Sequence, residues 1–395
     1  MRENWEIRKL GDLADLQRGL TYSKGDEVPF SSKRVLRSNN IDLESSKLDL
    51  TELKYLRDDF AIPDDRKVKK NSIFICMSNG SKQHVGKVAF IDTDIDYAFG
   101  GFMGLIVPKA GIAPKYVFYS CQSSAYRLFL SSIGNGIGIT NLRFTDLANY
   151  SIPVPPIAEQ EKIVAELDCL TGIIEKKRQQ LEELDKLAQS IFYDMFGDPI
   201  TNEKGWKKML LGEICAPKKS IARASKTYKA NDTIHYIDIA SIDNSQALLK
   251  GTTPFVFADA PSRAQQKVEK GDVLISLVRP NLRNIAMVEY DDSLLVASSG
   301  FCVLRAKDSN LRFIKAFALT DGFTRYLTDR TAGANYPAVR EEDIRACSLG
   351  VPPLDLQSEF ARKVEAIDRQ KELVKQSIVE TETLFNSRMD FWFNN

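Results

Sequence analysis

The sequence predicts an α/β protein in which two similar mixed α/β domains, each with a largely β core, alternate with two long antiparallel coiled-coil helices about a pseudo-twofold axis. Two observations carry this. The 395-residue chain repeats itself at half its length, and each repeat closes on a run whose apolar residues keep the 4-3 spacing of a coiled-coil seam.

The repeat is anchored in order along the chain. Trp5-Glu-Ile-Arg-Lys-Leu-Gly11-Asp-Leu13 aligns without a gap on Trp206-Lys-Lys-Met-Leu-Leu-Gly212-Glu-Ile214. Val68–Ile75 aligns on Val268–Ile275, and Gly101-Phe102 on Gly300-Phe301. Leu142-Arg143 with Asp146-Leu147 aligns on Val339-Arg340 with Asp343-Ile344. Ile152-Pro-Val-Pro-Pro156 and Gln160 align on Leu349-Gly-Val-Pro-Pro353 and Gln357. The offset drifts from 201 residues at Trp5 and Trp206 to 197 at Gln160 and Gln357. Asp12 to Lys67 and Glu213 to Lys267 have diverged, so a common scaffold presents different surfaces. The expected segments are residues 1–154, a first α/β domain; 155–199, a central helix; 200–351, a second α/β domain; and 352–395, a C-terminal helix.

Within each domain, short β-branched and aromatic runs stand between turn residues: Ser72–Met77, Val85–Ile91, Val273–Val278 and Ile285–Tyr290 read as strands. One helical stretch per domain is expected, near Pro114–Leu130 and Leu311–Leu327. Tyr116, Phe118 and Tyr119, with Phe313 and Phe317, read as core rather than as exposed stacking platforms. Pro155-Pro156 bars helix before it. Beyond it the seam holds Ile163, Leu167, Leu170, Ile174, Lys177, Leu181, Leu184, Ala188, Ile191 and Met195, until Gly197-Asp-Pro199 ends the run. The second seam is Phe360, Val364, Ile367, Lys371, Val374, Ile378, Thr381, Phe385, Arg388 and Trp392, weaker but still present. Phe196 precedes Trp206 much as the chain's end would precede Trp5, so the repeat reads as a ring of two units cut open.

Composition excludes several function classes. Hydrophobic residues make up 43% and charged residues 27%, an ordinary globular profile. No apolar run approaches the roughly 18 residues of a membrane span, and the polar start is no signal peptide. A cytoplasmic protein without a membrane partner is expected. The six cysteines lie far apart with no CxxC pair, which argues against disulfides and zinc. His84 and His235 are the only histidines.

Enzymatic motifs are decoys. Gly80-Ser-Lys-Gln-His-Val-Gly86-Lys87 has one residue too many for a phosphate-binding loop, and Val88 stands where Ser or Thr must hold magnesium. Gly134-Asn-Gly-Ile-Gly138 lacks the third glycine of a dinucleotide fingerprint. Pro63-Asp-Asp65-Arg-Lys67 lacks the spacing of a nuclease site, and no Gly-x-Ser-x-Gly elbow occurs. No Asn/Asp-Pro-Pro-aromatic run marks an adenine methyltransferase. Neither a catalytic residue nor a metal ligand is assigned.

Ser151-Ile-Pro-Val-Pro-Pro-Ile-Ala-Glu-Gln160 leading into a coiled coil, echoed half a chain later, resembles the specificity subunit of type I restriction-modification systems. The resemblance spans the whole chain and includes Trp5–Gly11, Trp206–Gly212 and Gly136–Arg143. The second copy departs from the pattern, reading Pro352-Pro-Leu-Asp-Leu-Gln357, with Leu356 in place of the glutamate. The resemblance implies a non-catalytic subunit whose two domains each read one half-site of double-stranded DNA across an unspecific gap set by the helices. A helix of about 38 residues is about 57 Å long, more than the roughly 34–36 Å of one DNA turn. It also implies two modification (methyltransferase) subunits and restriction subunits as partners. S-adenosylmethionine, ATP and magnesium would belong to those partners and no cofactor to this chain. The competing reading is a coiled-coil scaffold or adaptor with two protein- or ligand-binding domains.

Base edges are read by Arg, Asn and Gln, and phosphates are held by Lys and Arg. The foremost candidates are two repeat-equivalent polar turns: Ser78, Asn79, Ser81, Lys82, Gln83 and His84 after one strand, and Arg279, Asn281, Arg283 and Asn284 after its counterpart. Arg279 and Arg283 suit guanine, and Asn79, Gln83, Asn281 and Asn284 suit adenine. Asn135, Asn141 and Arg143, with Asn335 and Arg340, come second and could equally serve domain–helix packing. Arg18, Tyr22 and Lys24 come after them. Lys218, Lys219, Arg223 and Lys226 lie in an acid-free basic run that faces either phosphate or solvent.

Overall fold

A computed structural model describes residues 5–133, 140–332 and 337–394. The chain forms two compact units, Met1–Arg178 with Gln376–Asn395, and Gln179–Lys375. These cut across the four sequence segments, because each long helix is divided between the units. Each unit is thus one α/β head with the first half of the helix that follows it and the last half of the other.

The heads share one plan. In the first, strand Glu6–Lys9 pairs antiparallel with Ser151–Val154, placing Arg8 opposite Ile152. In the second, Lys207–Leu210 pairs with Ser348–Val351, placing Met209 opposite Leu349. The head's opening strand is therefore tied to the strand that leads into its helix. The central sheet of the first head runs Ala14–Arg18, Met103–Pro108, Ser72–Cys76, Val88–Ile91, all antiparallel. The second head keeps Phe301–Leu304, Val273–Ser276 and Ile285–Met287. A single Cys215–Ala306 bridge stands where the fourth strand would be. The expected strands are present but shorter than their apolar runs.

Alternation explains why the middle strands Ser72–Cys76 and Val273–Ser276 are almost wholly apolar. Ile73 and Ile75 face one core, Phe74 and Cys76 the other, and both faces are buried. Val273 and Ile275 divide from Leu274 in the same way. One core lies against the helices. The other lies under a second sheet, in which Lys33–Leu36 runs parallel to Tyr97–Phe99 in the first head and Thr233–Ile237 parallel to Leu295–Ser298 in the second. Sequence similarity is lost in this second sheet while the parallel pair persists.

Each head has two helices where one stretch was expected: Pro114–Ser120 and Ser124–Ile133, then Leu311–Ala318 and Asp321–Thr328. The break is a cap. The Ser123 hydroxyl accepts the Tyr126 N–H at 3.1 Å, and the Thr320 hydroxyl accepts the Phe323 N–H at 3.2 Å. A buried hydroxyl that satisfies the free N–H of a new first turn starts a new helix. The tyrosines and phenylalanines named as core are buried there.

The long helices, Ile157–Phe196 and Leu354–Phe393, leave no seam position exposed. Ile163, Leu167, Leu170, Phe360, Ile367, Val374 and Ile378 are buried. Ile174, Leu181, Leu184, Ile191, Val364 and Phe385 are partly so. In the first unit Glu166 binds the Arg388 guanidinium and Lys177 Nζ donates to Ser377 Oγ at 2.6 Å, so the two segments run antiparallel. In the second, Lys371 pairs with Asp185, and Phe192 packs on Phe360 with ring centroids 5.5 Å apart. The charged residues that interrupt the seam are thus each met by a polar partner across it.

Gln160 and Gln357 join helix to head. They are 1% and 0% exposed. Gln160 Oε1 accepts the Ala113 N–H at 2.9 Å, and its Nε2 donates to the Pro155 carbonyl at 2.8 Å. Gln357 Oε1 accepts the Asn310 N–H at 2.8 Å, and its Nε2 donates to the Pro352 carbonyl at 2.8 Å. Buried polar groups left unpaired cost about 1–3 kcal/mol each. Gln357→Ala should therefore lower the stability of the second unit by about 2–4 kcal/mol, read from the midpoint of urea unfolding followed by Trp206 fluorescence. A loss below about 0.5 kcal/mol, the range of ordinary surface substitutions, would contradict this role.

Candidate nucleic-acid interface

Both candidate turns leave the same strand of the central sheet, and both are held in the same way. In the first head Met77 and Ser78 donate their N–H groups to the Phe102 carbonyl at 2.9 and 3.1 Å. Leu142 N–H donates to the Met77 carbonyl at 2.7 Å. In the second, Leu277 donates to the Gly300 carbonyl at 2.9 Å, and Val339 donates to the Leu277 carbonyl at 2.9 Å. Ser78 bridges to Asn141, and Val278 to Ala338. The first- and second-choice candidates thereby come together: Ser78 and Asn79 beside Asn141, and Arg279 beside the segment that leads to Arg340.

These bonds also correct one alignment. Phe102 stands where Gly300 stands, and Met103 pairs with Cys76 as Phe301 pairs with Ser276. The match of Gly101-Phe102 to Gly300-Phe301 is one residue out of register. Phe301 is 1% exposed and Phe102 is 74% exposed.

The first turn is pinned at its start and open at its tip. Asn79 Nδ2 donates to Ser38 Oγ at 2.9 Å, and its Oδ1 accepts the Ser81 N–H at 2.8 Å. Ser81, Lys82 and Gln83 are exposed, while His84 is half-buried with Nδ1 unpaired. Ser78 and Asn79 line a cleft of about 980 Å³ with Tyr22, Lys24, Arg37, Asn39, Lys54 and Phe102. Glu27 and Glu52 share the cleft, and Glu27 pairs with Lys54 at 2.6 Å. Burial, reinforced by Glu27 and opposed by Arg37, raises the Tyr22 phenol above its ordinary value and keeps it a hydrogen-bond donor. Sequence reading missed Arg37 and Asn39, which lie in the diverged stretch, and Phe102, which the misaligned phenylalanines concealed.

The second turn is strained and partly engaged. Arg279 and Arg283 have φ of 49° and 50° around the short turn Pro280–Leu282. Left-handed conformation costs a residue with a Cβ about 1–2 kcal/mol, and such strain gathers at functional loops. Arg283 is half-buried, and its guanidinium bonds the Asp321 carboxylate and the Leu319 carbonyl. It is therefore a fastening of the turn onto helix Asp321–Thr328. Arg279 and Asn281 are exposed, and Asn284 is half-buried, with its carbonyl accepting the Ser276 N–H at 3.0 Å.

Other candidates divide similarly. Arg143 and Arg340 are exposed N-caps of equivalent short helices, Phe144–Ala148 and Glu341–Arg345, and each faces an acid three residues on. Lys218 pairs with buried Glu341 at 2.8 Å, and that bond raises its pKa, so it braces the head from within its own fold. Lys219, Arg223 and Lys226 are exposed, as are Arg18 and Lys24. Asn135 and Asn335 lie outside the described residues.

Among the described residues, no group of three or more His, Cys, Asp or Glu side chains could hold a metal, and no helix is long and apolar enough to cross a membrane. Burial pushes the Cys121 thiol up to about 12.

A family model described as the type I restriction modification DNA specificity domain matches residues 2–186 and again 203–383. The chain belongs to that family. It is a type I specificity subunit with two DNA-recognition domains, and the scaffold reading is set aside. Relatives matched over most of their length include the StySPI specificity subunit of Salmonella potsdam, 25% identical over 98% of this chain and 86% of that protein. The EcoKI specificity subunit of Escherichia coli strain K12 is 22% identical over 95% of this chain and 84% of its own. A solved chain from work on assembly and conformational transition of the type I R-M system matches with a TM-score of 0.58 at 19% identity, covering 98% of this chain and 97% of that one. The type I S subunit of M. genitalium matches with a TM-score of 0.51 at 15% identity, over 99% and 96% of the two chains. Both share the fold.

The Arg283 fastening is testable by a double-mutant cycle. Arg283→Ala and Asp321→Ala should each destabilise the second unit, and the double variant should fall short of their sum by about 0.5–1 kcal/mol, a value reduced for the pair's exposure. Strictly additive losses in thermal unfolding would show that the pair does not hold the turn.

Proposed function

We propose that this specificity subunit reads a bipartite DNA target, one half-site per head, with the long helices setting the gap. The observation that carries the proposal is the pair of turns that leave equivalent strands through matching backbone bonds at Met77 and Leu277 but carry different side chains: amides, serine and lysine at Ser78–His84, arginine and asparagine at Arg279–Asn284. A common frame gives both heads the same docking mode, and the side chains give each its own sequence. Arg279 and Asn281 are the base-reading candidates of the second head, and Gln83, exposed at the tip of its turn, of the first, while Asn79 pins that turn at its start. Lys219, Arg223 and Lys226 serve as phosphate contacts.

The same reading assigns the chemistry elsewhere. Two modification subunits bring S-adenosylmethionine and methylate adenine, ATP-driven restriction subunits use magnesium, and this chain supplies neither cofactor nor catalytic group. Decoy motifs and scattered cysteines and histidines support that division. The assembly works in the cytoplasm, where its DNA is.

The experiment is to co-express the chain with its modification subunit and map methylated adenines by sequencing. Two short half-sites at a fixed gap are expected. Matched deletions of Gln179–Asp185 and Arg369–Lys375, one heptad from each helix, remove about 10 Å of rod. They should change the gap while leaving both half-sites intact. A continuous target, or a gap that ignores the deletions, overturns the proposal.

A further inference from the structure

The exposed phenyl ring of Phe102 is the largest chemical difference between the two otherwise matched frames. Gly100 and Gly101 precede it, and its carbonyl takes the N–H groups of Met77 and Ser78 at 2.9 and 3.1 Å, so its backbone is fixed to the recognition turn itself. The side chain is 74% exposed. Water contact disfavours a phenyl by nearly its full burial energy, and nothing in the fold of the first head uses this one. It lines the cleft that also holds Arg37, Asn39 and Asn79.

We infer that Phe102 is a specificity-determining residue of the first head, packing its ring against the C5-methyl group of a thymine in the major groove. The inference rests on the DNA reading proposed above and deepens it. The thymine methyl is the one apolar group a base pair offers in that groove, and Phe is among the side chains that meet it. The exposed amide of Asn39 in the same cleft suits the adenine edge of an A·T pair. In the second head Gly300 holds the same backbone place and has no side chain, so that head reads without this contact.

The test uses the chain assembled with its modification subunits and its mapped target. Each thymine of the first half-site is replaced singly by deoxyuridine, which removes only the methyl group. Wild-type affinity should fall about fourfold at one position, the value of one buried methyl. Phe102→Ala should lose a similar factor on thymine DNA and no longer distinguish thymine from deoxyuridine. Phe102→Leu, which keeps an apolar side chain, should retain part of the preference. Unchanged recognition of the second half-site by both variants confirms that they fold. A Phe102→Ala subunit that keeps the wild-type preference for thymine overturns the inference. So does a large loss that is equal for both bases and is relieved by an unpaired base, the signature of stacking rather than methyl contact. Absence of any sequence preference in the wild-type complex would instead sink the DNA reading itself, and this inference with it.

Discussion

A glutamine amide buried between a head and the first turn of its long helix is the interaction on which each unit depends. Its geometry leaves little freedom. The Pro-Pro pair before the helix removes two backbone donors and leaves carbonyls in need of partners. The glutamine Nε2 answers the Pro155 or Pro352 carbonyl, while its Oε1 reaches the N–H just before the head's own helix pair, at Ala113 or Asn310. One side chain therefore fixes where the rod begins and how it meets the head. A second bond lies two turns on: Lys115 and Tyr119 hold Asp168 at 2.7 and 2.6 Å, and Arg312 holds Glu365 at 3.5 Å. With two such points, tilting the rod against its head breaks the buried glutamine bonds and these half-exposed ion pairs together. A subunit that must measure as well as read needs that stiffness.

Polar residues in the seam do a different task. An apolar seam is tolerant of sliding, because one leucine packs much like another. Glu166 with Arg388 and Asp185 with Lys371 are matched only in one antiparallel register, and breaking either leaves a charge against apolar neighbours. Their worth lies in specifying the pairing more than in net stability. What looks like a weaker second seam is where register is encoded.

The scaffold was legible in the sequence and the reading surface only partly so. Trp5 and Trp206, the Pro-Pro pairs, Gln160 and Gln357, and the 4-3 spacing were visible because they serve backbone geometry that both heads must satisfy. The same logic located the two turns, since each follows a buried strand with a polar run. It could not tell fastening from reading: Arg283 and Lys218 have the composition of DNA contacts, yet each has an acid from its own head. The helix break at Ser123 and Thr320 was hidden because a capping serine or threonine in an aromatic run resembles any small polar residue. The register at Phe102 was missed because two phenylalanines beside two glycines align more naturally than a phenylalanine on a glycine. Only the backbone bonds at Met77 and Leu277 decide between them.

Hydrogen exchange at two amides tests the central claim most directly. In the intact chain the N–H groups of Ala113 and Asn310 should exchange as slowly as those of the buried central strands, because each is sealed by a glutamine. Gln160→Ala should release Ala113 alone, and Gln357→Ala should release Asn310 alone. If both amides exchange at the rate of exposed loops in the unaltered chain, the glutamines do not hold the heads to their rods.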